Sequence, residues 1–226
     1  MLGEKQQIAI LSQDGYLLVI DKPAGIAMHP GNGSGDEETV VDHLGSEVSD
    51  WDSQRPGIVH RLDKHTSGVV VIAKDAGTKA LLQRQFKSRQ VEKHYIAGVQ
   101  GIPDRERARI EVPIGARPKN PLKRAVRPDG KPAVTQYHLT HQAEDWSLLD
   151  VYPLTGRTHQ IRVHLSYIGH PVLGDSVYGV SCPGLAQHFL HAKELTILHP
   201  ATQQPVTYTA QLPPELDKKI ARLNSG

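Results

Sequence analysis

GVVVIAK, residues 68–74, decides how the rest of the chain is read. Val69, Val70, Val71 and Ile72 follow one another with no polar position between them. A short unbroken β-branched run of this kind predicts a central strand buried on both faces. Directly after it, Asp75 suits a helix N-cap, and Leu81, Leu82 and Phe86 supply the apolar stripe of a helix ending near Arg89. Directly before it stand His60, Arg61, Leu62 and Asp63, polar and charged residues at the mouth of the buried strand.

Toward the N-terminus, IAIL ending at Leu11 and YLLVI at 16–20 read as strands, and Lys22-Pro23-Ala24-Gly25 as a turn. GNGSGDEE at 31–38 is a loop by composition, and TVVDHLGSEV at 39–48 carries a helical pattern through Val40, Val41 and Leu44. VEKHYIAGVQG at 91–101 alternates, so Val91, Lys93, Tyr95, Ala97 and Val99 share one face of a strand. The stretch 117–131, broken by Pro118, Pro121, Pro128 and Gly130, reads as a protruding loop. AVTQYHLT at 133–140 and WSLLDVYP at 146–153 look like a strand pair. Beyond Thr155-Gly156, Ile161, Leu165 and Ile168 recur at i, i+4 and i+7, which predicts a helix. LTILHP at 195–200 and VTYTA at 206–210 give two further strands, and PELDKKIARL a closing helix. Strands and helices do not alternate regularly, so the fold class is α+β, built on a mixed, largely antiparallel sheet flanked by helices and loops.

At 226 residues the chain can hold a core without staples, and its single Cys182 excludes an internal disulfide framework. No apolar run approaches the ~18 residues of a membrane span. Charges in the N-terminal MLGEKQQIAIL stand where a signal peptide needs an apolar stretch, so the expected location is cytoplasmic. The net charge of +2 hides an asymmetry. From Pro23 to Gln54 there is no Lys or Arg, whereas Arg117, Lys119, Lys123, Arg124, Arg127 and Lys131 face Asp129 alone between 117 and 131. Arg84, Lys87, Arg89 and Lys93 form a second basic cluster. Such a distribution suits a polyanion on one face, although charge runs are also ordinary solvated surface.

Asp63 at a strand mouth can be a nucleophile, a general base or a metal ligand; the same residue type also caps a turn with Thr66, Ser67 and Gly68. Arg162, between Ile161 and Val163, fits a cation reaching inward to a carboxylate, or an arginine snorkelling on a helix flank. The thirteen histidines give no metal-ligand spacing. His159 and His164 are five apart rather than four, and Cys182, His188, His191 and Asp175 have no C-x-x-C pair to anchor them. Phosphate-binding glycine loops are missing too. No metal and no cofactor is indicated.

HRLDKHTSGVVVIAK at 60–74 resembles the signature of the RluA-type family of RNA pseudouridine synthases. DGYLLVIDKPAGIAMHPG at 14–31 is similar to the family's opening strand and turn, VEKHYIAGVQG to its second motif, and LTGRTHQIRVHLSYIGHPVLGDSVYG at 154–179 to its third. FLHAKELTILHPATQQPVTYTAQLPPEL at 189–216 resembles its C-terminal hairpin and helix. The HPG and GKPAVT strings resemble those of the large-subunit ribosomal RNA enzymes of the family.

The resemblance implies an isomerase that converts selected uridines of structured RNA to pseudouridine, with ribosomal or transfer RNA as the partner and substrate. Asp63 matches the family's catalytic aspartate, Tyr95 the tyrosine that stacks on the target uracil, and Arg162 the arginine that pairs with the aspartate. Arg61 matches the residue that enters the stack when the uridine flips out, and His60 beside it is placed with the substrate-binding residues. A base inside a helix cannot turn over, so flipping is required. The family's opening strand begins within about the first fifteen residues, too few for a domain. One catalytic domain over 1–226 is therefore expected, monomeric and without a separate N-terminal RNA-binding domain. Lys123, Arg124 and Arg127 are then the expected contacts to the RNA backbone. A non-catalytic RNA-binding or RNA-chaperone protein that keeps the fold is the alternative, and a metal-dependent hydrolase using the histidines a third.

Overall fold

The computed structural model describes residues 8–29, 38–44, 56–118, 120–179 and 181–221, with Pro121 and Leu122 by backbone alone. Residues 31–37 of the glycine-rich acidic loop, residues 45–48 of the helix expected at 39–48, and Lys119 lie outside the described residues; the described part of that helix is a short α1 (Val40–Leu44). The chain divides into two compact units, Met1–Val91 with Leu195–Ala210, and Glu92–Glu194 with Gln211–Gly226.

In the first unit, β1 (Ala9–Gln13), β2 (Leu17–Lys22) and β3 (Ser67–Ala73) lie in that order, β1–β2 and β2–β3 antiparallel. All seven β3 residues are buried, as the uninterrupted apolar run requires. The register sets Val19 opposite Val71 and Leu17 opposite Ala73. These four pack with Val69, Leu82, Leu195 and Ile197 into one core, each large aliphatic side chain contributing about 1.5–3 kcal/mol by burial. Helix α2 (Ala76–Ser88) starts where Asp75, in extended backbone, accepts from the Thr78 amide at 2.9 Å, and stops at Arg89 in the left-handed region. Strand β10 (Leu190–Leu198) has its last four residues in this unit, where Gln85 of α2 bonds both the amide and the carbonyl of Leu198. Strand β11 (Pro205–Thr209) pairs with β10.

In the second unit, the first residues of β10 are followed by β4 (Glu92–Gln100), β9 (Trp146–Pro153), β8 (Val134–Gln142) and β5 (Arg107–Glu111). The β4–β9, β8–β9 and β5–β8 pairings are antiparallel. Helix α3 (Gln160–Tyr167) buries Ile161 and Leu165 in the core of this sheet, the side that the i, i+4 spacing marks. Helix α4 (Pro214–Ala221) adds Leu216 to the same core. The α+β class and the antiparallel character of the sheet follow the expectation.

Residues 114–126 depart from it. The loop expected at 117–131 instead holds the end of β6 (Ile114–Arg117) and all of β7 (Asn120–Val126), an antiparallel hairpin separate from the main sheet with a register shift between Ala116 and Arg117, and only 127–131 stay outside its strands. A two-stranded ribbon tolerates the prolines that a central strand would reject. Its base packs Ile114 and Val126 against Ala133, Val163 and Tyr178. Gly130 allows this closure, because a Cβ there would meet the Ile114 backbone at 2.5 Å. β5 also goes unmarked in the sequence, since RARIE carries a single fully buried position, Ile110. Among the described residues no helix is long and apolar enough to cross a membrane.

Candidate active site

The loop before β3 is held at three points. The amide of Val71 donates to His60 Nε2 at 3.0 Å, and the imidazole stacks on Phe86 with 4.7 Å between ring centroids. His60 thus braces the loop against β3 and α2. Leu62 is buried, while Arg61 on one side of it is exposed and Asp63 on the other is half-buried. The Thr66 amide closes a turn on the Asp63 carbonyl at 3.1 Å, and Gly68, at φ +115°, leads the chain into β3 in a backbone conformation that suits glycine.

The third point is Lys22, which the sequence reading passed over as the first residue of a turn. Its side chain is fully buried. Nζ donates to the carbonyls of Pro23 (2.8 Å), Ile26 (2.8 Å) and Lys64 (3.1 Å), and the Lys64 carbonyl also accepts from the Gly25 amide at 2.8 Å. An ammonium has three N–H donors, and all three are used. Burial pushes Lys22 down to about 7, against the opposing charges of Asp63 and Asp21. One side chain therefore ties the Pro23–Ile26 turn to Lys64, the residue after Asp63.

In the second unit, Tyr95 lies half-buried on β4 opposite Val151 of β9. The entry to α3 is locked by Gln160. Its Oε1 accepts from Thr155 Oγ1 (2.7 Å) and the Arg157 amide (3.0 Å), while its Nε2 donates to the Val134 carbonyl (2.9 Å) and Thr135 Oγ1 (3.0 Å). His164, one turn on, bridges Thr135 Oγ1 and the Val112 carbonyl, and burial pushes its imidazole toward the neutral form.

Between these two residues on α3 sits Arg162. It does reach inward: the side chain is 5% exposed, which removes the snorkelling alternative. The carboxylate it grips is Asp175, with Nε to Oδ2 at 2.7 Å and Nη2 to Oδ1 at 2.8 Å. Oδ1 also accepts from the Val177 and Tyr178 amides at 2.9 and 3.1 Å. Burial alone would raise the Asp175 carboxyl, but the bonds and charge of Arg162 with the two amides hold it below the ordinary range. These oxygens are committed, so Asp175 does not join Cys182, His188 and His191 in a metal set. The guanidinium further lies over the Tyr178 ring, 5.1 Å from its centroid.

Lys123, Arg124 and Arg127 fall on and just beyond β7. Arg127 pairs bidentately with exposed Asp129, an interaction worth little in water. His60, Arg61 and Asp63 thus belong to the first unit, and Tyr95, Arg162 and the hairpin cations to the second. Lys22 and Tyr178 are residues that the sequence does not mark for chemistry, and it marks Asp175 only as a possible metal ligand and not as the partner of Arg162.

The chain as a whole is similar to known proteins. A family model described as RNA pseudouridylate synthase matches residues 16–167. A Chlorobaculum parvum protein named as an uncharacterized RNA pseudouridine synthase is 39% identical over 96% of this chain and 75% of its own length. The ribosomal large subunit pseudouridine synthase D of Nitrosomonas europaea is 39% identical over 95% of this chain and 64% of its own. The structure of human RNA Pseudouridylate Synthase Domain Containing 4 superposes with a TM-score of 0.77 at 28% identity, covering 96% of this chain and 93% of that one. Asp63, Tyr95 and Arg162 all lie inside the matched residues, and the chain belongs to the RluA-type family of RNA pseudouridine synthases.

Proposed function

We propose that this enzyme isomerises uridines of ribosomal RNA, that Asp63, Tyr95 and Arg162 carry the chemistry, and that the two units serve as one catalytic domain. The observation that carries the choice of RNA is the 39% identity, over 95% of the chain, to a protein named for the large ribosomal subunit. The uridine leaves its stack and Arg61, exposed beside Asp63, takes its place. The bond from the anomeric carbon to N1 breaks with the help of the Asp63 carboxylate, and the uracil turns over. The anomeric carbon then bonds to C5, C5 loses its proton, and N1 ends protonated. Tyr95 offers its ring to the uracil, and Arg162, fixed by Asp175, supplies an oriented cation.

In this reading His60 acts on the substrate through the loop it braces. Lys123, Arg124 and Arg127 hold phosphates and set the register of the RNA without doing chemistry. The enzyme works as a cytoplasmic monomer.

The deciding experiment is a pseudouridine map of ribosomal and transfer RNA from cells with the protein, without it, and with Asp63→Asn in its place. A ribosomal position lost in the last two supports the proposal. Loss confined to transfer RNA overturns the choice of substrate. A map unchanged by Asp63→Asn but altered by deletion would favour the non-catalytic RNA-binding reading.

A further inference from the structure

In the proposed reaction the basic hairpin and Arg162 have separate tasks, yet one side chain touches both. Tyr178 lies in the loop after α3, and its backbone is secured there. Its amide donates to Asp175 Oδ1 at 3.1 Å and its carbonyl accepts from Ser166 Oγ at 2.9 Å. Its ring carries the Arg162 guanidinium on its face and belongs to the apolar base of the hairpin with Ile114, Val126 and Val163. Its hydroxyl accepts from the Arg124 amide at 2.7 Å and lies 2.8 Å from His159 Nδ1.

Three physical points give this phenol a task. A two-stranded hairpin has no third strand to hold it and is marginal by itself, so its position depends on what anchors it. The amide of Arg124 points out of the ribbon, and a strand edge of this kind ordinarily bonds water. His159, which flanks the hydroxyl, holds φ 57° without a side-chain cap to α3, a conformation uncommon for a residue with a Cβ. The strained residue, the catalytic-site arginine and the hairpin amide converge on the same ring.

We propose that Tyr178 is a positioning residue that latches the basic hairpin to the Arg162–Asp175 pair, so that the RNA grip and the arginine keep one fixed geometry. The inference rests on the hairpin being an RNA contact. The hydroxyl provides the latch, and the ring provides the seat for Arg162. The two are separable, because Tyr178→Phe keeps the ring and removes only the oxygen.

Hydrogen exchange and a double-mutant cycle test this in the full-length protein. In the wild type the Arg124 amide should exchange at least about tenfold more slowly than a solvent-facing strand-edge amide, the range expected for one hydrogen bond. In Tyr178→Phe that protection should vanish while the amides of α3 stay within about twofold. With RNA, Tyr178→Phe should raise KM about five- to tenfold, and the effect should fall below about twofold when Lys123 and Arg127 are already alanine. An Arg124 amide that exchanges like an open edge in the wild type overturns the latch, whether or not the variant folds. Penalties that multiply independently in the cycle overturn it as well, since a residue that merely stabilises the fold has no reason to act through the hairpin cations. If the wild type forms no pseudouridine in any RNA, the functional reading fails, and the exchange data still decide the latch.

Discussion

Arg162 and Asp175 face each other through two parallel hydrogen bonds of 2.7 and 2.8 Å, in a setting where the two side chains are 5% and 0% exposed. A buried pair of this kind is tolerated only because each charge answers the other and the carboxylate's remaining capacity is filled by amides. Removing either partner strands the other.

Asp175→Asn should therefore cost about 3–5 kcal/mol of stability and also lower turnover, because Arg162 loses the group that orients it. The pH dependence has a definite sign. The folded Asp175 carboxyl lies below its ordinary value of 3.8, so its stabilisation is present above that value and is lost as the pH falls through the folded one. Denaturant melts over an acid series check this. The gap between wild type and Asp175→Asn should be constant above 3.8 and close below it.

Asp63→Asn should abolish pseudouridine formation while leaving melting temperature and RNA affinity near those of the wild type, since the amide keeps the shape and loses the nucleophile. Activity within about tenfold of wild type would remove Asp63 from the chemistry. Tyr95→Phe, which keeps the ring, should remain active. Tyr95→Ala should lose about 1–3 kcal/mol of binding to the flipped base. A Phe variant as inactive as Asp63→Asn would assign the hydroxyl a proton-transfer step.

Lys22 gives a second pH signature, with a slope of the same sign but in a neutral-to-alkaline window. Its folded value is about 7 against an ordinary 10.5, so between these limits the unfolded chain binds more protons than the folded one. Stability conferred at this site must then rise with pH across that window, by up to about 1.4 kcal/mol per pH unit. Lys22→Met removes the slope. Urea melts of both proteins from neutral to alkaline pH read the difference, and parallel curves would show that the lysine keeps its proton through the bonds to the carbonyls of Pro23, Ile26 and Lys64.

Replacing Lys123, Arg124 and Arg127 with alanine should weaken RNA binding and flatten its salt dependence by roughly 0.7–0.9 in log–log slope for each phosphate that is no longer neutralised. Affinity measured at several salt concentrations, beside the single-turnover rate at saturating RNA, separates grip from chemistry. An unchanged slope would assign these cations to solvated surface.

Much of the fold was legible because its signals are local. Val69 to Ile72 announce a buried strand by their own side chains, Asp75 reaches the Thr78 amide three residues on, and Ile161 and Leu165 mark the buried side of α3 by spacing alone. The hairpin at 114–126 was not legible, since Pro118, Pro121 and the cations read as a loop. What makes the segment a ribbon is a base formed by Ala133, Val163 and Tyr178 from elsewhere in the chain. The partners of the polar residues were equally hidden. The carbonyls that hold Lys22 come from one, four and forty-two residues away, and the carboxylate that grips Arg162 lies thirteen residues on, in a loop with no periodic pattern. The order of residues alone was enough for the secondary structure of the core and, through its motifs, for the family. Which charge meets which, and what the Tyr178 hydroxyl reaches, depended on the folded chain, because a buried ion or phenol is satisfied by whatever the tertiary structure brings within about 3 Å and not by its neighbours in sequence.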